Sequence, residues 1–253
     1  MIPYSYPTRI IAHRGGGTLA PENTLAGLRC ARERGFSAVE FDVMLARHDV
    51  PVLMHDDTLE RTTSGRGALP DASAIELGRL DAGSWFDARF AGEPVPSFAA
   101  AAELCLSLDL FCNVEIKPWA PGGDTVAAQT GRIVAAACAR LWQAAPRKAL
   151  LSSFAPSALA AARQSAPHLA RAALFDRVPA NWHEQLELHA CVALHCNAKR
   201  LDARTARAIK TAGYGLMCWT VNDPVRATEL FDWGVDAVCT DRLDLFAGMA
   251  AVR

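Results

Sequence analysis

The chain has 253 residues, 51% of them hydrophobic, and a formal net charge of −1. That size and apolar content support one large core or two small ones, and an α/β barrel of about 250 residues is a standard single-domain solution. A balanced charge leaves no basic footprint for nucleic acid, and no apolar run reaches the roughly 20 residues that a bilayer-spanning helix needs.

In chain order, Met1–Arg9 is polar and rich in Pro and Tyr, with no basic stretch leading into an apolar one, so it does not read as a secretory signal. A first strand over 9–13 runs into the glycine-rich turn Gly15-Gly16-Gly17 and a helix over 22–35. A second strand, 38–43, precedes an extra strand-like run, Pro51-Val52-Leu53-Met54-His55. That run begins only eight residues after Val43, whereas a parallel crossover needs about a dozen or more. The spacing therefore predicts a hairpin over 44–55. It opens an insertion, 44–96, that lacks the strand-helix rhythm and is rich in Gly, Asp, Ser and Arg; long insertions in compact domains are usually functional. Alternation then resumes. Strands are predicted at 111–116, 149–153, 170–175, 191–196, 215–220 and 236–239, and helices at 97–109, 125–142, 156–165, 181–189, 202–212, 224–232 and 243–250. Eight strand-helix units imply a closed parallel (β/α)8 barrel, an α/β fold with 1–253 as one domain and a small insertion after the second barrel strand. The eight cysteines show no CxxC pair and fall mostly in apolar runs, which predicts free thiols and a reducing cytoplasm.

Ala38-Val39-Glu40-Phe41-Asp42-Val43 sends two carboxylates to one strand face and its apolar residues to the other. Asn113-Val114-Glu115-Ile116-Lys117 repeats the pattern with an acid and a base on one face. Acids held side by side repel and are costly to bury unless a cation or proton offsets them. Glu40, Asp42 and Glu115 thus read either as an oxygen site for a hard cation or as a buried salt-bridge network with Arg14 or Lys117. His13 and Arg14 stand at the end of the first strand, and His55 ends the hairpin, which puts all three at the rim holding the acids. A histidine pair near neutrality can supply both an acid and a base, and a guanidinium fork can clamp a phosphate. His48, His168, His183 and His189 are read as structural. Glu22, in the same turn as Arg14, is equally well read as a first-turn acid favouring the helix dipole. Trp219 is either barrel core or a pocket wall, and Phe154 reads more as core. Asn23 and Ser153 either orient ligands or cap turns and helices.

In order along the chain, His13-Arg14-Gly15 with Pro21-Glu22-Asn23-Thr24, Glu40-Phe41-Asp42, and His55-Asp56 leading to Arg61-Thr62-Thr63 resemble the signature of glycerophosphodiester phosphodiesterases. So do Asn113-Val114-Glu115-Ile116-Lys117-Pro118, Leu151-Ser152-Ser153-Phe154, Trp219-Thr220-Val221-Asn222 and Gly234-Val235-Asp236 through Thr240-Asp241. The chain is similar to the compact cytosolic bacterial members, with Leu243 where members often carry Pro. The resemblance implies one divalent cation, Mg²⁺ or Ca²⁺ with Mn²⁺ also fitting, held by Glu40, Asp42 and Glu115. It implies His13 and His55 as the acid-base pair, here read with His13 as base and His55 as acid. Arg14 and Lys117 would neutralise phosphoryl charge, with Trp219 and Phe154 against the substrate and Asn23 and Ser153 behind the ligands. The expected reaction is hydrolysis of small glycerophosphodiesters (glycerophosphocholine, -ethanolamine, -glycerol) to sn-glycerol 3-phosphate and an alcohol. Attack by water and attack by the glycerol's own 2-hydroxyl are both open. The alternative is phospholipase-type cleavage of intact lipids, for which no amphipathic basic stretch is present. Neither a nucleic-acid partner nor a stable membrane association is expected, and a homodimer is compatible with the sequence.

Overall fold

The computed structural model describes residues 4–250. Its barrel strands are β1 (Ile10–Ala12), β2 (Ala38–Ala46), β4 (Phe111–Ile116), β5 (Ala149–Ser153), β6 (Ala170–Phe175), β7 (Ala193–Asn197), β8 (Gly215–Trp219) and β9 (Ala237–Thr240), while β3 (Val50–Leu53) lies outside the ring. The sheet order β1-β9-β8-β7-β6-β5-β4-β2-β3 closes because β1 also pairs with β2, Ala12 opposite Val39. All barrel pairings are parallel. β3 is the antiparallel exception, with Val43 opposite Leu53 and Ala46 opposite Val50, which is the predicted hairpin. β2 is long enough to serve both neighbours: 38–43 pairs with β4 and 43–46 with β3.

The helices are α1 (Leu25–Glu33), α2 (Ala74–Leu77), α3 (Phe98–Ser107), α4 (Gly123–Leu141), α5 (Pro156–Ser165), α6 (Trp182–Leu188), α7 (Ala203–Thr211), α8 (Pro224–Asp232) and α9 (Leu243–Ala250). Side-chain caps start many of them. Thr24 accepts from the Gly27 N–H, Ser97 from Ala100, Asp202 from Thr205 and Asp223 from Val225. Each satisfies a backbone donor that the first turn would otherwise leave unpaired. The expected helix over 22–35 begins three residues later, because Asn23 has φ 55° and Thr24 is extended. Those residues belong to the turn that carries the site.

Strand alternation sorts the core into two shells. Ile11, Ala38, Phe111, Leu150, Ala172, Ala193, Met217 and Ala237 fill the barrel with Tyr6 beneath them. Ile10, Val39, Phe41, Val114, Leu151, Leu194, Leu216 and Val238 point outward against the helices. His195, fully buried, bonds through Nε2 to the Tyr6 hydroxyl at 2.7 Å, and burial pushes its pKa down to about 3. The 44–96 segment packs on a third, separate cluster that includes Met44, Val52, Met54, Leu59, Leu69, Leu77 and Val95.

Gly131 marks the tightest helix contact. A Cβ there would stand 2.2 Å from the Ala158 carbonyl oxygen, so α4 and α5 meet backbone to backbone. Gly131→Ala should destabilise the fold by about 1–3 kcal/mol despite alanine's better helix propensity. In a chain of this size that lowers Tm by roughly 2–4 °C per kcal/mol. An unchanged or raised melting temperature would mean that α4 and α5 can separate freely.

Candidate active site

The C-terminal ends of the strands surround a cavity of about 140 Å³ lined by His13, Arg14, Glu40, Asp42, His55, Asn113, Glu115, Lys117, Phe154 and Trp219, among others. The expected acids do converge. One oxygen from each of Glu40, Asp42 and Glu115 lies within 4.8 Å of the others. Register explains it: Asp42 stands opposite Glu115, and Glu40 opposite Asn113, all on the inward face of β2 and β4.

Their surroundings separate them. Asp42 is 2% exposed yet has its pKa lowered; burial opposes this, but the charges of Lys117, Arg14 and His55 outweigh it. Lys117 Nζ sits 3.6 Å from Oδ1 and Arg14 Nε 3.5 Å from Oδ2. Asn23 grips the same residue twice, donating Nδ2–H to Oδ2 at 2.9 Å and accepting the Asp42 N–H at 3.0 Å. Asparagine tolerates the left-handed backbone this needs. Glu40 is pushed up to about 7 by burial and by Asp42, though it accepts the Arg14 N–H at 3.0 Å. Glu115 is also raised well above the usual carboxylate range, by burial and by both other acids. Arg14 and Lys117 thus form ion pairs with only one of the three carboxylates, so the salt-bridge reading accounts for only part of the cluster. All-oxygen donors, two buried and one partly buried, with two of the three lacking a close Arg or Lys partner, suit a hard divalent cation. The buried Oδ1 of Asn113, beside Glu40, also has no partner among the described residues.

The two histidines stand on opposite supports. His13 Nδ1 pairs with Asp241 Oδ1 at 2.6 Å, and its Nε2 lies 3.8 Å from Glu40. Asp241 is held by Asn222, which donates Nδ2–H at 3.0 Å and accepts the Asp241 N–H at 2.8 Å. Gly17 lets the first turn reach this loop, since a Cβ there would meet the Asp241 carbonyl oxygen at 2.2 Å. His55 Nδ1 pairs with Asp56 Oδ1 at 2.6 Å. The His13 pKa is raised: burial opposes this, but the Asp241 bond and the charge of Glu40 prevail. That of His55 is lowered, chiefly by burial with help from Arg14 and Lys117, against Asp42 and the Asp56 bond.

Other expectations fare unevenly. Trp219 lines the cavity, and its ring meets Phe154 edge-on at 5.5 Å. Phe154 is 47% exposed, so it is rim and not the core residue its apolar character suggested; it lies just beyond the end of β5. Ser153 does not reach the cavity. Its hydroxyl donates to the Ile116 carbonyl at 2.7 Å and accepts the Ala155 N–H at 3.2 Å, which caps the turn into α5. Glu22 is no mere first-turn acid, because it takes Arg14 Nη1 at 2.7 Å and both Nη groups of Arg61 at 2.8 Å. Asp56, Asp241, Asn222 and Arg61 belong to the segments that carry the family resemblance, and the structure adds their roles as supports of the two histidines. Aspartates one residue after His55 and just past the last strand were the available signals.

Raised carboxylates carry a linkage. Between their ordinary pKa of 4.5 and about 7, Glu40 binds more proton in the folded protein than in the unfolded one. Stability of the metal-free protein should therefore fall as pH rises through that window. A divalent cation should restore more stability at pH 7.5 than at pH 5, because at pH 5 it must displace protons. Thermal melts at both values, with and without magnesium or calcium, check this. An equal gain at each pH would contradict it.

Residues 13–245 match the family model of the glycerophosphoryl diester phosphodiesterase family. The chain is 32% identical over 238 residues to a glycerophosphodiester phosphodiesterase of Caldanaerobacter subterraneus subsp. tengcongensis, covering 92% of this chain and 94% of that protein. Among solved structures it resembles an Oleispira antarctica phosphodiesterase in complex with its product sn-glycerol-3-phosphate. That likeness has 34% identity and a TM-score of 0.87 over 96% of this chain and 97% of the other. A glycerophosphodiester phosphodiesterase from Agrobacterium tumefaciens is 27% identical with a TM-score of 0.77, over 95% and 99% of the two chains.

Proposed function

Because the chain belongs to the glycerophosphodiester phosphodiesterase family and is such an enzyme, we propose that it hydrolyses small glycerophosphodiesters to sn-glycerol 3-phosphate and an alcohol. In this reading Glu40, Asp42 and Glu115 hold one divalent cation, Mg²⁺ or Ca²⁺ with Mn²⁺ also fitting, and His13 and His55 form the acid-base pair. The observation that carries it is the cavity itself, which sets two buried carboxylates and a partly buried third beside two aspartate-held imidazoles. The likeness to an enzyme whose solved complex holds sn-glycerol-3-phosphate supports that product. Its coverage supports 1–253 working as one domain, with 44–96 as an insertion within it.

A bound cation would supply positive charge to the phosphoryl oxygens and lower the pKa of an oxygen nucleophile. Arg14 and Lys117, both on the cavity wall, neutralise the charge that builds as the diester reacts. Lys117 and Arg14 keep Asp42 ionised, and Asn23 holds it in place. With Nδ1 engaged by an aspartate, each imidazole offers Nε2 to the substrate. One takes the proton of the attacking oxygen, whether water or the glycerol 2-hydroxyl, and the other protonates the departing alcohol. Phe154 and Trp219 form an apolar edge for the organic part of the substrate. No helix of the described residues is long and apolar enough to cross a membrane. All eight cysteines are free, which suits a reducing compartment, so the cytoplasm is the proposed location.

Release of glycerol 3-phosphate should be measured on glycerophosphocholine, -ethanolamine and -glycerol. EDTA should abolish it and added magnesium or calcium should restore it. General acid-base help contributes about 10²–10⁴ in rate for each group, so His13→Ala and His55→Ala should each lose at least about a hundredfold in kcat while staying folded. Turnover untouched by chelator would remove the cation from the account, and near-normal turnover in either variant would remove that histidine.

A further inference from the structure

His55 differs from His13 in what holds it. The His13–Asp241–Asn222 chain is built wholly on strand ends and loops of the barrel. The His55–Asp56 pair follows β3, in the insertion, which has its own small apolar cluster. A hinge of even 1 Å between that cluster and the barrel would move the ring relative to the carboxylates, and such misplacements cost about 10²-fold in rate. Something must tie Asp56 to the barrel.

Arg61 does so with one guanidinium. On the insertion side it donates Nε–H to Asp56 Oδ2 at 2.5 Å and Nη2–H to Oδ1 at 2.9 Å. On the barrel side it donates Nη1–H to Glu22 Oε2 and Nη2–H to Oε1, both at 2.8 Å. Glu22 stands in the turn between β1 and α1 and also takes Arg14 Nη1 at 2.7 Å. An exposed ion pair is ordinarily worth little. Two bidentate pairs on one planar fork are different, because they fix orientation as well as distance. A lysine's point charge could meet both carboxylates but not hold either plane.

We propose that Arg61 is a positioning residue for catalysis, gripping Asp56 and Glu22 together so that His55 is locked to the barrel over the acidic cavity. The inference rests on the reading of His55 as one of the acid-base pair. Arg61 touches no reacting atom and acts through Asp56 on the ring. The same fork, with the bond to His55, holds the Asp56 carboxyl well below the usual range, so the anchor stays ionised.

The test is a double-mutant comparison of kcat and KM for glycerol 3-phosphate release by Arg61→Met, Arg61→Lys, His55→Ala and the pair Arg61→Met/His55→Ala, with folding checked by circular dichroism. Residues acting as one unit are strongly non-additive. Arg61→Met should lower kcat by about 10–100-fold with KM within about threefold, and Arg61→Lys should fall between it and the parent. In the His55→Ala background, Arg61→Met should cost less than about threefold more. A folded Arg61→Met with kcat within about threefold of the parent overturns the proposal, as does an undiminished loss in the His55→Ala background. If Arg61→Met does not fold, the same comparison with Arg61→Lys decides by the same criteria. A near-normal His55→Ala removes the acid-base reading itself, whereas a slow His55→Ala beside a normal Arg61 variant removes only the positioning role.

Discussion

Three carboxylates crowded together in a largely buried cavity organise this molecule. Strand alternation and the pairing of Asp42 with Glu115 leave Glu40, Asp42 and Glu115 no way to avoid one another. Within the cluster Arg14 and Lys117 pair only with Asp42, and Arg14 also pairs with Glu22 outside it. The remaining charge shows up as the raised pKa values of Glu40 and Glu115. Burying uncompensated charge is among the most expensive things a protein can do. In the proposed reading, a positive ion or protons entering the site relieve that repulsion, which suits it to receive a cation.

Around that cluster the polar groups form two supports of different origin. One belongs to barrel closure, where β9 returns to β1 and brings Asp241 to His13. The other belongs to the insertion, where β3 delivers His55 and Arg61 ties Asp56 back to Glu22. The barrel thus supplies a rigid floor, and the insertion completes the wall. Sites on strand ends are held by the ladder itself, while groups on an insertion depend on a few polar contacts.

Much of this was readable from residues alone, because the features were local. Alternation within 38–43 and 111–117 put the acids on one face, and the short gap after Val43 disclosed the hairpin. The family resemblance rested on the same ordered segments. What escaped was long-range or a matter of phase. Asp241 lies 228 residues from His13, and no spacing rule connects them. Glu22 looked like a helix-start acid because its partner Arg61 is 39 residues away. Phe154 read as core by composition, yet it falls just past a strand end, where the chain turns out to the rim. Ser153 was one residue out of phase, since inward positions on β5 belong to Leu150 and Ser152.

The most direct test of the central claim is calorimetric titration of calcium or magnesium into metal-free protein, alongside Glu115→Gln. One ion per chain in the parent, with affinity lost in a variant that keeps its fold, is the predicted result. No binding by the parent, or equal binding by the variant, would contradict the claim that these carboxylates form a cation cage.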